Sequence, residues 1–441
     1  MSAKGPQPPP SSRPQKSPPG CLSRLIRYLI LAIALGAVVV LVDAFQVHLP
    51  LGTAGSPARG EQVGVLHVHT KVSDSDGNVD DVVAAARWAD LSFVGISDFH
   101  EAVGKDLAGK DRHNVLLLGG EELSTPEGHF LAIGVSAGWR EGVKETDTAA
   151  LLLAARKAGG LRVIAHPFGA VRDWDPAAWA KIDDYDAIEV INGDAEWRNN
   201  NPGELLVSAL IYTVNPDLAL VRLVDRPDKS LAKWDEILAR RHVASVCGAD
   251  AHARVYLGYG RSIGFPAYLR VFRTTKEHVL LGAGIRSSEK LPRDAKSIVD
   301  ALKAGRSYCA VDGLSGAAGL KNEAEGEGIV AGSGETLPWS PGSTLRVQIP
   351  PGSGRPFIKV FKDGHETFDA RGWRLDATLT GPGVYRTEVW LRQPGLTGGQ
   401  RWTPWIVANP IYVTATALPL PVERIGTPVP PSPSATLTPN R

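Results

Sequence analysis

Cysteine is scarce. Three residues in a chain of 441, Cys21, Cys247 and Cys309, cannot form a disulfide framework, and their spacing fits no zinc ribbon or finger. Cys21 precedes the apolar N-terminal segment instead of following it, which excludes a lipidated cysteine of the lipoprotein kind. Cys247 and Cys309 can pair in an oxidising compartment, although two buried thiols is the simpler reading. A charge bias is also missing: 48 basic residues face 47 acidic ones, for a net charge of +1. Nucleic acid is therefore not an expected partner. Long apolar runs are rare as well, which makes the first one informative. Leu22 to Phe45 is apolar apart from Ser23, Arg24, Arg27 and Asp43, close to the roughly 20 residues a membrane helix needs.

The basic residues Lys4, Arg13, Lys16, Arg24 and Arg27 all precede the core of that run, and Asp43 follows it. The positive-inside rule then leaves the N-terminus in the cytoplasm and the rest of the chain outside, periplasmic or extracellular. An uncleaved anchor is expected. A signal peptide cut near Val42-Asp43-Ala44 is the alternative, and export is common to both.

The texture divides the rest of the chain. Residues 1–20 and 417–441 are rich in Pro, Ser, Gly or Thr and are expected to be disordered tails. The span takes 22–45 and a linker 46–61. Residues 62–315 alternate short buried strands (Phe93–Ile96, Val115–Leu118, Phe130–Val135, Arg162–Ala165, Ala187–Ile191, Val243–Val246) with helical stretches. Repeated units of this kind imply an α/β domain with a parallel sheet or barrel. Asn78 is placed to cap a helix running to Trp88. Leu205–Val224 is interrupted by Asn215, Pro216, Asp217 and Arg222, so it reads as two helices and not a second span. A linker is expected over 316–343, then a small all-β domain over 344–416.

Residues with metal chemistry sit where the strands end. The first strand ends in His67-Val68-His69, with two imidazoles on one side of an extended chain. Asp74 and Asp76 follow. Asp98 and His100 close the second strand, Glu121 and Glu122 the third, with His129 just after. His166, Asp250 and His252 close later strands. Six of the 11 histidines belong to this set. In a βα barrel these ends gather on one face, and imidazole with carboxylate suits zinc, manganese or iron.

The ordered strings HVHT, SDFH, GGEELST with GHFLAIG, VIAHP and GADAH resemble those of the PHP (polymerase and histidinol phosphatase) metallohydrolases over about residues 62–315. GRSYCAVDG and the later PWIVANPIYV resemble the CehA/McbA-like branch. The resemblance implies a distorted (β/α)7 barrel with two or three divalent ions and a metal-bridging hydroxide that attacks phosphorus or carbonyl carbon. It implies that His67, His69, Glu122 and Asp250 bind one ion, that Glu122 bridges to a second held by His129 and His166, and that His100 and His252 serve a third. The acid of that third set is Asp74 or Asp76, with Asp76 the expected ligand. Asp98, Glu122 and Asp250 are the expected catalytic residues. Two departures stand out: Phe99 separates Asp98 from His100, and the 73–77 loop is longer than the family's Ser-Asp-Gly.

Around this set, Arg254 and Asn192 are candidate substrate contacts, Arg172 and Arg198 weaker ones, and Glu189 a candidate for orienting a ligand histidine. Trp174, Trp179 and Trp197 are more readily packing residues than pocket walls. The expected activity is a phosphoesterase acting on a small-molecule ester. A carboxyl- or carbamate-ester hydrolase is the alternative, and a non-catalytic, metal-stabilised binding module is a third reading. Oligomeric state is not legible.

Overall fold

A computed structural model of the chain describes residues 21–52, 57–100, 109–169, 173–258, 261–282, 293–350, 355–394 and 399–415. The two tails expected to be disordered, and Arg172, lie outside these residues.

Seven strands close into a barrel: β1 (Glu61–Val68), β2 (Phe93–Ile96), β3 (Val115–Thr125), β4 (Gly128–Ile133), β5 (Leu161–Ile164), β6 (Ala187–Asn192) and β7 (Ala244–Ala251), with β7 paired back onto β1. Neighbours run parallel except around β4, which is antiparallel to both β3 and β5. The reversal comes from a tight hairpin in which Thr125 faces Gly128. Gly128 has φ +143°, and a Cβ there would lie 2.7 Å from the Trp174 ring, so this turn favours glycine both conformationally and sterically. Because β4 is reversed, its first residues lie at the same mouth as the C-terminal ends of the other strands.

The helices follow from local chemistry. In α2 (Val79–Trp88), Asn78 accepts from the Asp80 and Asp81 amides while Asp81 accepts from the Asn78 amide, a reciprocal cap. The later helices that matter for the site are α3 (Thr148–Lys157), α4 (Gly193–Arg198), α5 (Pro202–Tyr212), α6 (Pro216–Val221), α7 (Asp228–Leu238) and α8 (Tyr268–Thr274). Residues 205–224 do divide into two helices, with Asn215 capping the second.

The N-terminal helix α1 (Cys21–Gln46) carries an apolar stretch, Leu22–Gln46, long enough to cross a membrane, and its side chains are mostly exposed. Its end is not free. Ala44 is buried against Ile211, Leu218 and Ala219, and Asn215 Nδ2 donates to the Ala44 and Val47 carbonyls at 2.9 and 2.8 Å.

Beyond the barrel, β8 (Lys276–Leu280) adds to β1 and β9 (Ser307–Ala310) adds to β8, both antiparallel. The long strand Gln400–Thr414 then pairs with β9, so the C-terminal strands extend the barrel's own sheet. A second sheet of four strands faces them, and one apolar core containing Leu345, Val347, Ile358, Val360, Val389 and Ile406 fills the space. The expected linker over 316–343 is corrected by strands at Lys321–Gly326, Ile329–Gly332 and Thr336–Pro338. The first reads KNEAEG, alternating exposed charges with buried Asn322, Ala324 and Gly326; residues that small leave no apolar strand signal. Cys247 and Cys309 form a disulfide with Cα atoms 5.4 Å apart. This corrects the reading as two free thiols: the sheet brings two strands together that are 62 residues apart in sequence.

Candidate metal centre

Glu122 is the hub. Its Oε2 lies 3.0 Å from His67 Nε2 and 3.0 Å from His69 Nε2, and its Oε1 lies 2.8 Å from His129 Nδ1 and 3.1 Å from His166 Nε2. Asp250 Oδ1 stands 3.4 Å from His67 Nε2 and 3.5 Å from both His69 Nε2 and His252 Nδ1. Asp74 completes the set, 3.2 Å from His252 Nε2 and 3.4 Å from His69 Nδ1. These eight side chains make four overlapping groups, each with its donor atoms within 4.8 Å of one another: His67–His69–Glu122, His67–His166–Asp250, His69–Asp74–His252 and Glu122–His129–His166.

The fold explains the convergence. β1, β3 and β7 deliver His67, His69, Glu122 and Asp250 from parallel strand ends, and the reversed β4 delivers His129. His67, His166 and Asp250 have φ of 61°, 28° and 47°. Non-glycine residues pay for such backbone, and it clusters at functional sites.

A ring of partners fixes the imidazoles. Glu189, buried on β6, accepts from His67 Nδ1 at 2.8 Å, from the His166 amide at 2.7 Å and from Asn192 Nδ2 at 2.8 Å. Gly248 lets that carboxylate sit against β7: a Cβ there would lie 2.0 Å from Glu189 Oε1. Tyr268, from α8, donates to the His69 carbonyl at 2.7 Å.

Imidazoles and carboxylates shift one another's protonation. Burial alone pushes the Glu122 carboxyl up, but His67, His129 and His166 outweigh it and hold it well below the usual carboxylate range. Burial also opposes ionisation of Asp250, and His67, His69 and His252 overcome it and pull it down. Burial disfavours charge on His69 and His166, yet Asp250 and Glu122 raise the first to about 9 and Glu122 the second to about 9. The carboxylates thus favour positive charge at this point of the barrel mouth. His69 Nε2 is buried with no aligned hydrogen bond, although Glu122 Oε2 is only 3.0 Å away. An orphaned imidazole nitrogen aimed between two carboxylates, inside a set of nitrogen and oxygen donors, fits a divalent transition ion.

Several candidates stand elsewhere. His100 is 39% exposed and reaches Glu145 at 3.5 Å; Phe99 turns inward in its place, its ring 4.8 Å from that of His69 and 5.5 Å from that of His129. Asp76 reaches Arg254 at 3.5 Å, outside the cluster, and Asp74 takes the inner position. The extra residues of the 73–77 loop account for that choice. Asp98 is fully buried and accepts from the Thr70 amide at 2.6 Å, Thr70 Oγ1 at 2.8 Å and Ser73 Oγ at 2.7 Å. It holds the loop that presents Asp74. Glu121 faces away, bound by Arg140 and Trp139. Asn192 is committed to Glu189 and to capping α4, where it accepts from the Ala195 amide.

The mouth opens as a cavity of about 170 Å³ bordered by Phe99, His129, Asp194, Arg198 and His252. Arg198 pairs with Asp194 across one helical turn, and its guanidinium lies 4.4 Å over the Trp197 ring. Trp174 and Trp179 pack in the core with Tyr185. Asp194 and Tyr268 escaped the sequence reading. Asp194 lies two residues beyond the β6 end and was open to the strand-end argument, whereas Tyr268 is about 200 residues from the histidine it supports and left no signal.

The sequence matches no family model and no curated protein. Among solved structures, the chain is similar to a two-domain protein of Bacteroides vulgatus containing a predicted PHP-like metal-dependent phosphoesterase, at 14% identity and TM-score 0.38, over 78% of this chain and 95% of that one. It is also similar to a protein of Bifidobacterium adolescentis assigned as a metal-dependent phosphoesterase (17% identity, TM-score 0.28, 47% and 94% covered). A third is an amidohydrolase of Chromobacterium violaceum with bound sulfate and no metal (15%, 0.30, 46% and 92%). The chain's own side chains gather four histidine–carboxylate groups of metal-binding type at the barrel mouth.

Proposed function

We propose that the chain is a metal-dependent hydrolase acting on a small-molecule ester, with a phosphoester favoured. The observation that carries this reading is the fourfold overlap of donor groups around Glu122 and Asp250. His67, His69, Glu122, His166 and Asp250 would hold ions with His129, Asp74 and His252. Two or three divalent ions, zinc, manganese or iron, supply Lewis acidity and activate water at neutral pH. The protein's part is positioning. Glu189 keeps the His67 proton on Nδ1, which leaves Nε2 facing the carboxylates. Phe99 excludes water from one wall, and Arg198 offers the planar cation that matches a phosphate.

One observation favours the carboxyl- or carbamate-ester reading as second. Arg198 already pairs with Asp194 and Arg254 with Asp76, so neither arginine brings an uncompensated charge to the mouth.

The N-terminal helix is read as a retained anchor, because Ala44, beside the possible cleavage site, is buried by α5 and α6. The positive flank before the helix and the disulfide between Cys247 and Cys309 support a catalytic part outside the cytoplasm.

The test is turnover of p-nitrophenyl phosphate, bis-p-nitrophenyl phosphate and a naphthyl carboxylate ester by the metal-loaded full chain. Turnover of either phosphate is expected. Activity on the naphthyl ester alone sinks the phosphoesterase, and activity on none of the three sinks the hydrolase.

A further inference from the structure

Two cavities lie beside the metal centre, and one of them is oily. The outer cavity, of about 190 Å³, is walled mainly by apolar surface from Leu205, Ala209, Tyr212 and Phe265, with Ser208 among them. The inner one, of about 50 Å³, reaches Asp250, His252 and Arg254. The two share Trp197, Leu220, Leu223 and Pro266 as common walls. The two cavities thus abut across these four side chains, one on the side of the metal centre and the other on the face of α5 and α6. Those are the helices that grip the end of the membrane-length helix α1, through Ala44, Val47 and Asn215. Leu206, on α5, is 74% exposed, and the only ionisable side chains of that helix are Glu204 near its start and Tyr212 at its end. The opening of the oily cavity is therefore built from the same helices that sit where the chain leaves the bilayer.

We propose that the substrate is a membrane amphiphile: an ester head held at the metal centre, and a hydrocarbon tail lying along Trp197, Leu220 and Leu223 into the outer cavity. The inference rests on the hydrolase reading and narrows its substrate class. A soluble sugar phosphate or nucleotide would leave these walls wetted, whereas a tail removes them from water at about 25 cal/mol per Å². A tail still in the bilayer also keeps the substrate close to an enzyme tethered to the same surface.

The test uses the full chain in phosphatidylcholine nanodiscs and a series of alkyl p-nitrophenyl phosphodiesters with methyl, butyl, hexyl and octyl groups. Water adds to phosphorus, the bond to p-nitrophenolate breaks, and the proton goes to buffer. The expected kcat/KM rises ~4-fold for each methylene that enters the cavity. Ala209 is exposed on α5 and lines the outer cavity, so Ala209→Trp fills the space without disturbing a core, and it should abolish the rise in the same nanodiscs. Binding of octyl against methyl phosphate, read by tryptophan fluorescence, gives a second measure independent of turnover. Turnover of the methyl ester with no rise overturns the inference and leaves the hydrolase standing. A rise that persists in Ala209→Trp is bilayer partition alone and overturns it too. Tighter binding of octyl than methyl phosphate, lost in Ala209→Trp, but with no ester turned over, supports the tail pocket and sinks the hydrolase.

Discussion

Glu189 touches none of the donor atoms aimed at the centre, yet replacing it by glutamine should loosen the metals. One oxygen accepts from His67 Nδ1, the other from the His166 amide and Asn192 Nδ2. A glutamine offers one acceptor oxygen and one amino group. With the amino group toward His67, the imidazole must accept at Nδ1 and carry its proton on Nε2, the atom needed as a ligand. With the amide turned over, His166 and Asn192 lose their acceptor instead. Losing a charged, buried hydrogen bond costs about 1.5–3 kcal/mol, and disturbing a ligand's outer partner typically weakens metal binding ~10–100-fold. Gly248→Ala should produce a similar loss with the charge intact, because its Cβ would lie 2.0 Å from Glu189 Oε1. The assay is competition for zinc or manganese against a fluorescent chelator, with thermal melting alongside to exclude unfolding. Wild-type affinity in both variants would refute the positioning role. Loss in Gly248→Ala alone would show that backbone distortion, and not the carboxylate, governs the site.

Further expectations follow from the same geometry. Asp74→Asn should lower metal stoichiometry or third-site affinity while Asp76→Asn leaves both unchanged; likewise His252→Ala should and His100→Ala should not, all by elemental analysis. On the far side of β1, burial disfavours charge on His278, but Asp312 and Glu61 raise it to about 9. A raised histidine stabilises fully below its unfolded value near 6.5 and loses that contribution as pH climbs through about 9. His278→Gln should therefore flatten the fall in melting temperature over that window. Arg386, buried and bound by Asp235 and Glu388, should cost about 3 kcal/mol on truncation to alanine, read by denaturant titration, since part-buried Asp235 loses its partner and buried Glu388 keeps only Arg226. Reducing the Cys247–Cys309 disulfide, which closes 62 residues, should cost ~4 kcal/mol by the chain-entropy relation.

Much of the barrel was legible because its strands are short apolar runs and its helices are capped locally. Phe93–Ile96 and the Asn78 cap agree with the structure in position. Histidines at strand ends also announced themselves, since β geometry makes neighbouring strand ends converge. The individual ligands were harder. Asp74 and Asp76 differ only in how a long loop folds, and hydrogen bonds from Thr70 and Ser73 to the distant Asp98 set that fold. Phe99 takes the inward position because it bridges to Glu122 on the neighbouring strand, and His100 follows it with φ 54°. The strand Lys321–Gly326 hid because its buried face is Asn, Ala and Gly. The continuity of the C-terminal strands with the barrel was invisible for another reason. It depends on pairings such as Tyr308 with Ala408, which no local pattern encodes.

Metal content tests the central claim most directly. The full chain, purified without chelator and reconstituted with zinc or manganese, should carry two or three divalent ions per molecule by elemental analysis. Asp250→Ala should lose at least one of them, together with ester turnover. No bound metal after reconstitution, in a chain whose circular dichroism shows it folded, would contradict the account and leave the histidine cluster without its proposed purpose.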